Sequence, residues 1–209
     1  MRLTKFTHAC VQLEQNGKVL VIDPGTWTEP AALTDVDAVL VTHEHFDHLD
    51  TDALRGAVAS NPRLGIWTNP ELAVQLADLG GVVTAVKPGT TFTAAGFSVL
   101  AVGGRHAYIH EQIPELANIG FIVEGSVYHP GDALFVPEEP VETLLVPTSA
   151  PWLKIGEAID FVRAVHPRRA HSIHDHMLSD IGKQSADRWL DMRGGTDYSR
   201  LPIGEPVEL

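Results

Sequence analysis

Between Thr42 and His48 the chain reads Thr-His-Glu-His-Phe-Asp-His, which puts three imidazoles and the Asp47 carboxylate within six positions directly after the apolar run Ala38-Val39-Leu40-Val41. Neutral imidazole and carboxylate are the usual nitrogen and oxygen ligands of zinc and other divalent transition metals, and such a donor set without thiolates suits a catalytic ion better than a structural one. His43 and His45 alternate, so on an extended backbone both point the same way, while Asp47 and His48, beyond a turn, face a second position beside the first. The spacing predicts two adjacent metal sites rather than a histidine-rich surface loop.

Such ligands need a rigid frame. Val11, Leu13, Val19 and Val21 flank Asn16-Gly17, a strong hairpin signal, so the N-terminus is expected to form two antiparallel strands ending at Asp23-Pro24-Gly25. Further strand-like runs lie at Val39–Thr42, Leu64–Trp67, Val82–Val86, Phe97–Val102, Ile119–Glu124, Thr143–Val146 and Arg169–His174. Asn69 can cap a helix that begins with Pro70, carries Leu72, Leu76 and Leu79 on one face and closes at Gly80-Gly81. Ile155, Ala158, Ile159, Val162 and Val165 repeat at helical spacing up to Pro167, and a third helix is expected from about Ser179 or Asp180 to Gly194-Gly195. The last dozen residues read as a weakly patterned tail. Strands alternating with helices imply an α/β sandwich.

With 209 residues, 44% hydrophobic and 20% charged, residues 1–209 are expected to be one domain with a substantial core. The net charge of −12 argues against nucleic acid, whose partners normally present a basic face. No segment approaches the roughly 20 apolar residues of a membrane span, and no signal-peptide pattern is read, so the expected location is cytoplasmic. Cys10 is the single cysteine and is expected to be buried in the first strand. There is no Gly-x-Ser-x-Gly elbow, so water is the expected nucleophile.

The motif His43-x-His45-x-Asp47-His48, followed in order by His106, Asp132 and His174 near strand ends, resembles the metallo-β-lactamase superfamily, and within it the compact lactonase-like (ascorbate-6-phosphate lactonase-like) branch. The resemblance implies a four-layer αββα sandwich with two divalent ions, zinc first and manganese as the alternative. His43, His45 and His106 would hold one ion, Asp47, His48 and His174 the other, and Asp132 would bridge them. His176 is the substitute for His174. His8, in Thr7-His8-Ala9, matches an element that lies close to the metals in related hydrolases. Asp23 is a candidate for orienting a ligating imidazole from behind.

The activity implied is hydrolysis of a small, anionic lactone or ester by a hydroxide shared between the ions, with Asp47, Asp132 and His8 in catalytic roles. Arg105 and Lys154 are candidates for the substrate's anionic group, His110 for the pocket rim and Trp152 for an apolar wall. The proton for the leaving group is expected from a water held by Asp47, from His8 or from His110. The alternatives are a small-molecule phosphodiesterase using the same site and a non-catalytic metal-binding module. The flavin-linked iron branch fits less well, since it carries Glu where His45 stands.

Overall fold

Strands in which consecutive residues are all apolar, rather than every second one, are built to be covered on both faces. The computed structural model, which describes residues 1–209, bears this out. In chain order β1 (Arg2–Lys5), β2 (Val11–Gln15), β3 (Lys18–Ile22), β4 (Ala38–Val41), β5 (Gly65–Thr68) and β6 (Val83–Ala85) build one sheet. The second holds β7 (Thr91–Ala94), β8 (Phe97–Arg105), β9 (Ala117–Val123), β10 (Val127–His129), β11 (Thr143–Pro147), β12 (Arg169–Ile173) and β13 (Asp197–Ser199), and β14 (Pro206–Glu208) returns to pair with β1.

Three apolar clusters separate four layers. Leu20, Ile22, Ala38 and Leu40 from the first sheet meet Val99, Ala101, Phe121, Leu145 and Ile173 from the second. The alternate residues Val21, Val39, Val41 and Ile66 face outward, against Leu54 of α1 (Thr51–Ser60) and Leu72 of α2 (Pro70–Gln75). On the other side Leu144, Val146 and Ala170 pack on Phe161 and Val162 of α3 (Ile155–Val165) and Leu190 of α4 (Asp180–Arg193). A side-chain period of two thus serves two cores at once, each fully buried aliphatic contributing roughly 1.5–3 kcal/mol. The result is the four-layer αββα sandwich.

Each sheet is mixed. β3, β4, β5 and β6 run parallel, joined in turn by the 3-10 segment Pro30–Leu33, by α1 and by α2 with its 3-10 continuation, and β10, β11, β12 and β13 run parallel in the other sheet. Loops at the carboxyl ends of such strands are where open α/β sheets place their ligands.

Several expectations need correction. The helix from Pro70 stops at Gln75 and continues as a 3-10 segment, Ala77–Val82, in which Gly80 has a φ of 70°. The C-terminal residues are ordered: Val207 pairs with Leu3, and Leu201 enters the central core. Cys10 is buried, but in the turn before β2 rather than in a strand. No helix is long and apolar enough to cross a membrane.

Candidate metal centre

The site begins at Asp23, the residue after β3, in a left-handed backbone conformation with φ of 54°. Its buried carboxylate accepts hydrogen bonds from Thr42 N at 2.8 Å, from Thr42 Oγ1 at 2.7 Å and from His48 Nδ1 at 2.7 Å. One side chain therefore ties the exit of β3 to the motif loop after β4. Gly25 lets the two loops touch, because a Cβ there would lie 2.0 Å from the Asp47 carbonyl oxygen.

The second sheet contributes from the opposite side. His106 follows β8, Asp132 follows the turn after β10, and His174 follows β12 with φ of 56°. Gly131, at φ of 62°, is pressed so close to Thr42 that a Cβ would approach its Cβ to 2.7 Å, and Asn118 Oδ1 accepts the Asp132 backbone N–H at 3.0 Å. His174 N donates to the His8 carbonyl at 3.0 Å, and His8 too has positive φ, 67°. Three non-glycine residues of one site in a sparsely allowed region mark a geometry imposed by surrounding contacts.

Two groups of donor atoms result, each with its atoms within 4.8 Å of one another: His43, His45, His106 and Asp132, and His8, Asp47, His48 and His174. Asp132 lies between them, with Oδ1 3.0 Å from His48 Nε2 and Oδ2 3.1 Å and 3.4 Å from the Nε2 atoms of His174 and His106.

Hydrogen bonds behind the rings select their tautomers. His48 Nδ1 donates to Asp23, His106 Nδ1 to the Ala107 carbonyl at 2.6 Å and His174 Nδ1 to the Ser149 carbonyl at 2.5 Å. Thr42 Oγ1 spends its proton on Asp23, so it accepts from His43 Nδ1 at 2.9 Å. Each of these four rings keeps its Nδ1 proton behind and points Nε2 into the cluster, so that a ring giving up any Nε2 proton would present a lone pair there, which is how ligating histidines are prepared. The buried Nε2 atoms of His48, His106 and His174 and Oδ1 of Asp132 have no hydrogen-bond partner. Buried imidazole nitrogens and a carboxylate converging on one point are what a divalent ion would satisfy, displacing any Nε2 protons. His8 is built the other way round. Its Nδ1 accepts the His176 N–H at 3.2 Å, so its proton sits on Nε2 and is donated to Asp47 Oδ2 at 3.1 Å.

The electrostatics follow this layout. Burial pushes the His8 imidazole down to about 4, so it stays neutral. Burial also opposes charge on His48 and His174, but the Asp132 carboxylate outweighs it, raising His48 well above its ordinary value and His174 to about 9. Asp132 is held well below the usual carboxylate range: burial works against it, and the charges of His48 and His174 prevail.

The other expected residues fall in different places. Arg105 is 75% exposed and pairs with Glu115 at 2.7 Å, and Lys154 is 87% exposed beside Glu157 at 3.7 Å, so neither brings a free cation to the cluster. His110 is exposed, its Nδ1 accepting the Gln112 N–H. Trp152 is more than an apolar wall, since its Nε1–H donates to Asp132 Oδ2 at 3.1 Å. His176 is exposed, its ring 5.3 Å from Trp27, and His174 takes the place in the donor group. Sequence reasoning missed Thr42, Trp27 and the buried His129, whose Nε2 meets the Ala9 carbonyl at 2.9 Å. The run His129-Pro130-Gly131-Asp132 was a signal for the last of these.

Replacing Asp23 with alanine is expected to weaken zinc binding about 10- to 100-fold, the usual effect of removing a group that orients a ligating histidine. Chelator competition on the variant checks this; unchanged affinity would mean that Thr42 and the backbone alone hold His48.

Comparison with known proteins identifies the family and the fold. The β-lactamase superfamily domain matches residues 2–174. Protein Rv0786c of Mycobacterium tuberculosis is 39% identical over 208 residues, covering 97% of each chain. The UPF0173 metal-dependent hydrolase MJ1163 of Methanocaldococcus jannaschii is 27% identical over 228 residues, covering 99% of this chain and all of its own. Among solved structures, the metallo hydrolase Igni18 of Ignicoccus hospitalis superimposes with a TM-score of 0.78 at 21% identity, covering 99% of this chain and 97% of that one, a likeness of fold. The chain belongs to the β-lactamase superfamily and has the metallo-β-lactamase fold.

Proposed function

We propose that residues 1–209 form a single hydrolase domain that cleaves a small carboxylic ester or lactone at a two-metal centre, with zinc the first choice of ion and manganese the alternative. The observation that carries this reading is the pair of four-donor groups with Asp132 between them. In the proposed assignment His43, His45 and His106 hold one ion, Asp47, His48 and His174 the other, and Asp132 bridges. When bound, the two ions would supply Lewis-acid polarisation of a carbonyl and a water made acidic enough to attack at neutral pH.

The chain's own groups do the rest. Trp152 Nε1–H and the Asn118-held backbone fix Asp132. Asp47, whose Oδ2 is held by the His8 Nε2–H and whose carboxyl stays ionised beside His174 and His8, would orient the attacking water and steer its proton toward the leaving oxygen. His8 is better suited to positioning than to acid catalysis because burial keeps it neutral. His110 is exposed and bonded within its own loop, which favours Asp47 over it as the proton carrier.

The test is metal analysis of tag-free protein reconstituted with zinc or manganese, followed by a screen of lactones, carboxylic esters and phosphodiesters. About two ions per chain and metal-dependent ester or lactone cleavage are expected. A chain that takes up no metal, or a loaded one that cleaves only phosphodiesters, overturns the reading.

A further inference from the structure

Behind one half of the centre lies a group of charges that the chemistry does not use. Lys5, in β1, is 1% exposed, and its Nζ donates to the Phe6 carbonyl at 3.1 Å and to Asp175 Oδ1 at 3.2 Å. Arg200, the residue after β13, donates through Nη1 to the other oxygen of Asp175. The same guanidinium grips Asp187 of α4, Nε to Oδ2 at 2.9 Å and Nη2 to Oδ1 at 2.7 Å, and the Tyr198 hydroxyl donates to Asp187 Oδ1 at 2.5 Å. Lys5 and Arg200 balance the two carboxylates. Apolar side chains can usually replace a buried ion group with no loss of stability, so strength alone does not account for these charges.

Their place in the chain does. Asp175 directly follows His174, and Lys5 lies in the strand that leads to His8. The same two segments are laced together twice more, by His174 N donating to the His8 carbonyl at 3.0 Å and by His176 N donating to His8 Nδ1 at 3.2 Å. The C-terminal segment closes over them, with Gly204 N donating to the Lys5 carbonyl at 2.8 Å. His8 and His174 both hold positive φ, 67° and 56°, a conformation that persists only where surrounding contacts fix the backbone. In the other half, His43, His45 and His106 bond to Thr42, to each other and to the Ala107 carbonyl, and to none of the four charged residues.

We propose that Arg200, acting through Asp175, is a positioning residue for the half of the centre built on His8, Asp47, His48 and His174, so that the C-terminal segment sets the affinity of one ion and not of the other; this rests on the two-metal reading above. The guanidinium fork fixes the Asp175 carboxylate. Asp175 and Lys5 then hold the turn after His174 against the turn that carries His8, and that register brings His174 Nε2 to 3.5 Å from Asp47 Oδ2, the oxygen that His8 holds.

The experiment uses the full chain as wild type, Arg200→Gln and Arg200→Lys, with two readouts: stepwise zinc titration by calorimetry, and long-range proton–nitrogen NMR of the imidazoles in the metal-free protein. Arg200→Lys keeps the charge and loses only the fork, so it should fold even where Arg200→Gln does not. In both variants one zinc step is expected to weaken by about tenfold, the lower end of what losing a group that orients a ligand costs, while the other step stays as in the wild type. The His8 ring is expected to lose its fixed Nε2–H tautomer and the His43 ring to keep its Nδ1–H form. Zinc steps and tautomers unchanged from the wild type, or both steps weakened equally, overturn the proposal. A wild type that takes up no zinc removes the two-metal reading, and the imidazole spectra then decide alone: His8 disturbed with His43 intact supports the coupling, whereas both unchanged or both disturbed removes it.

Discussion

Asp132→Ala is expected to strip metal from both halves of the centre and to lower kcat/KM by at least about 10³-fold. The carboxylate touches three imidazoles, His48 and His174 in one half and His106 in the other, at 3.0–3.4 Å. In the proposed assignment, deleting it would remove an anionic ligand shared by two cations and leave buried Nε2 atoms facing one another. Loss of a single preorganised electrostatic contact in an active site already costs about 10²- to 10³-fold, and in the proposed assignment this residue would serve two ions. The fold should survive, because Asp132 is held from behind through its backbone and contributes no core packing. Metal analysis, circular dichroism and activity on the same preparation separate these effects. A folded variant that keeps two ions, or that keeps most of its activity, would show that Asp132 is not the bridge.

The centre was legible where chemistry constrains residue type. Three imidazoles and a carboxylate in one loop announce themselves, and Asp23 before Pro24 was open to a reading as an orienting group. What lay hidden were contacts that only topology creates. Thr42 is an ordinary strand-end threonine until Asp23 meets it across two parallel strands. Trp152 looked like packing because nothing in Ala150-Pro151-Trp152 reveals an indole N–H aimed at a carboxylate 20 residues earlier. Arg105 and Lys154, read as anion anchors, each have a carboxylate within reach that the local sequence did not announce as a partner, Glu115 across the loop and Glu157 three residues on.

The frame shows the same division. Strands buried on both faces carried their own apolar runs, and α3 its helical period. α1 did not, because only Leu54 of its ten residues is fully buried, and its start is fixed instead by the Asp50 side chain accepting the Ala53 N–H. The edge strand β14 and its neighbour β1 are short and half polar, so they are specified by pairing, β14 with β1 and β1 with β2, rather than by local pattern. Even the buried Lys5 in β1 makes sense only with Asp175, 3.2 Å away and 170 residues later.

Zinc affinity is expected to climb at least about tenfold per pH unit between pH 6 and 8, and less steeply above about 9, where His174 sheds its proton. In the metal-free protein the Asp132 carboxylate overcomes burial and keeps His48 and His174 protonated, His174 up to about 9. Both rings already commit Nδ1–H to an acceptor, so the titrating proton sits on Nε2, where the metal must bind. Binding therefore expels two protons, and each adds about tenfold in affinity per pH unit while its ring remains protonated. The same linkage fixes the sign for folding without metal. A histidine whose folded value is raised stabilises fully below its unfolded value near 6.5, and that contribution fades as pH rises through the folded value. The metal-free protein should accordingly lose thermal stability as pH climbs toward 9, and the zinc-loaded protein should not. Calorimetry in buffers of different ionisation enthalpy counts the protons directly. Release of none at pH 7 would mean that both Nε2 atoms are bare before the ion arrives, and that the carboxylates of the centre, not its imidazoles, set its proton balance.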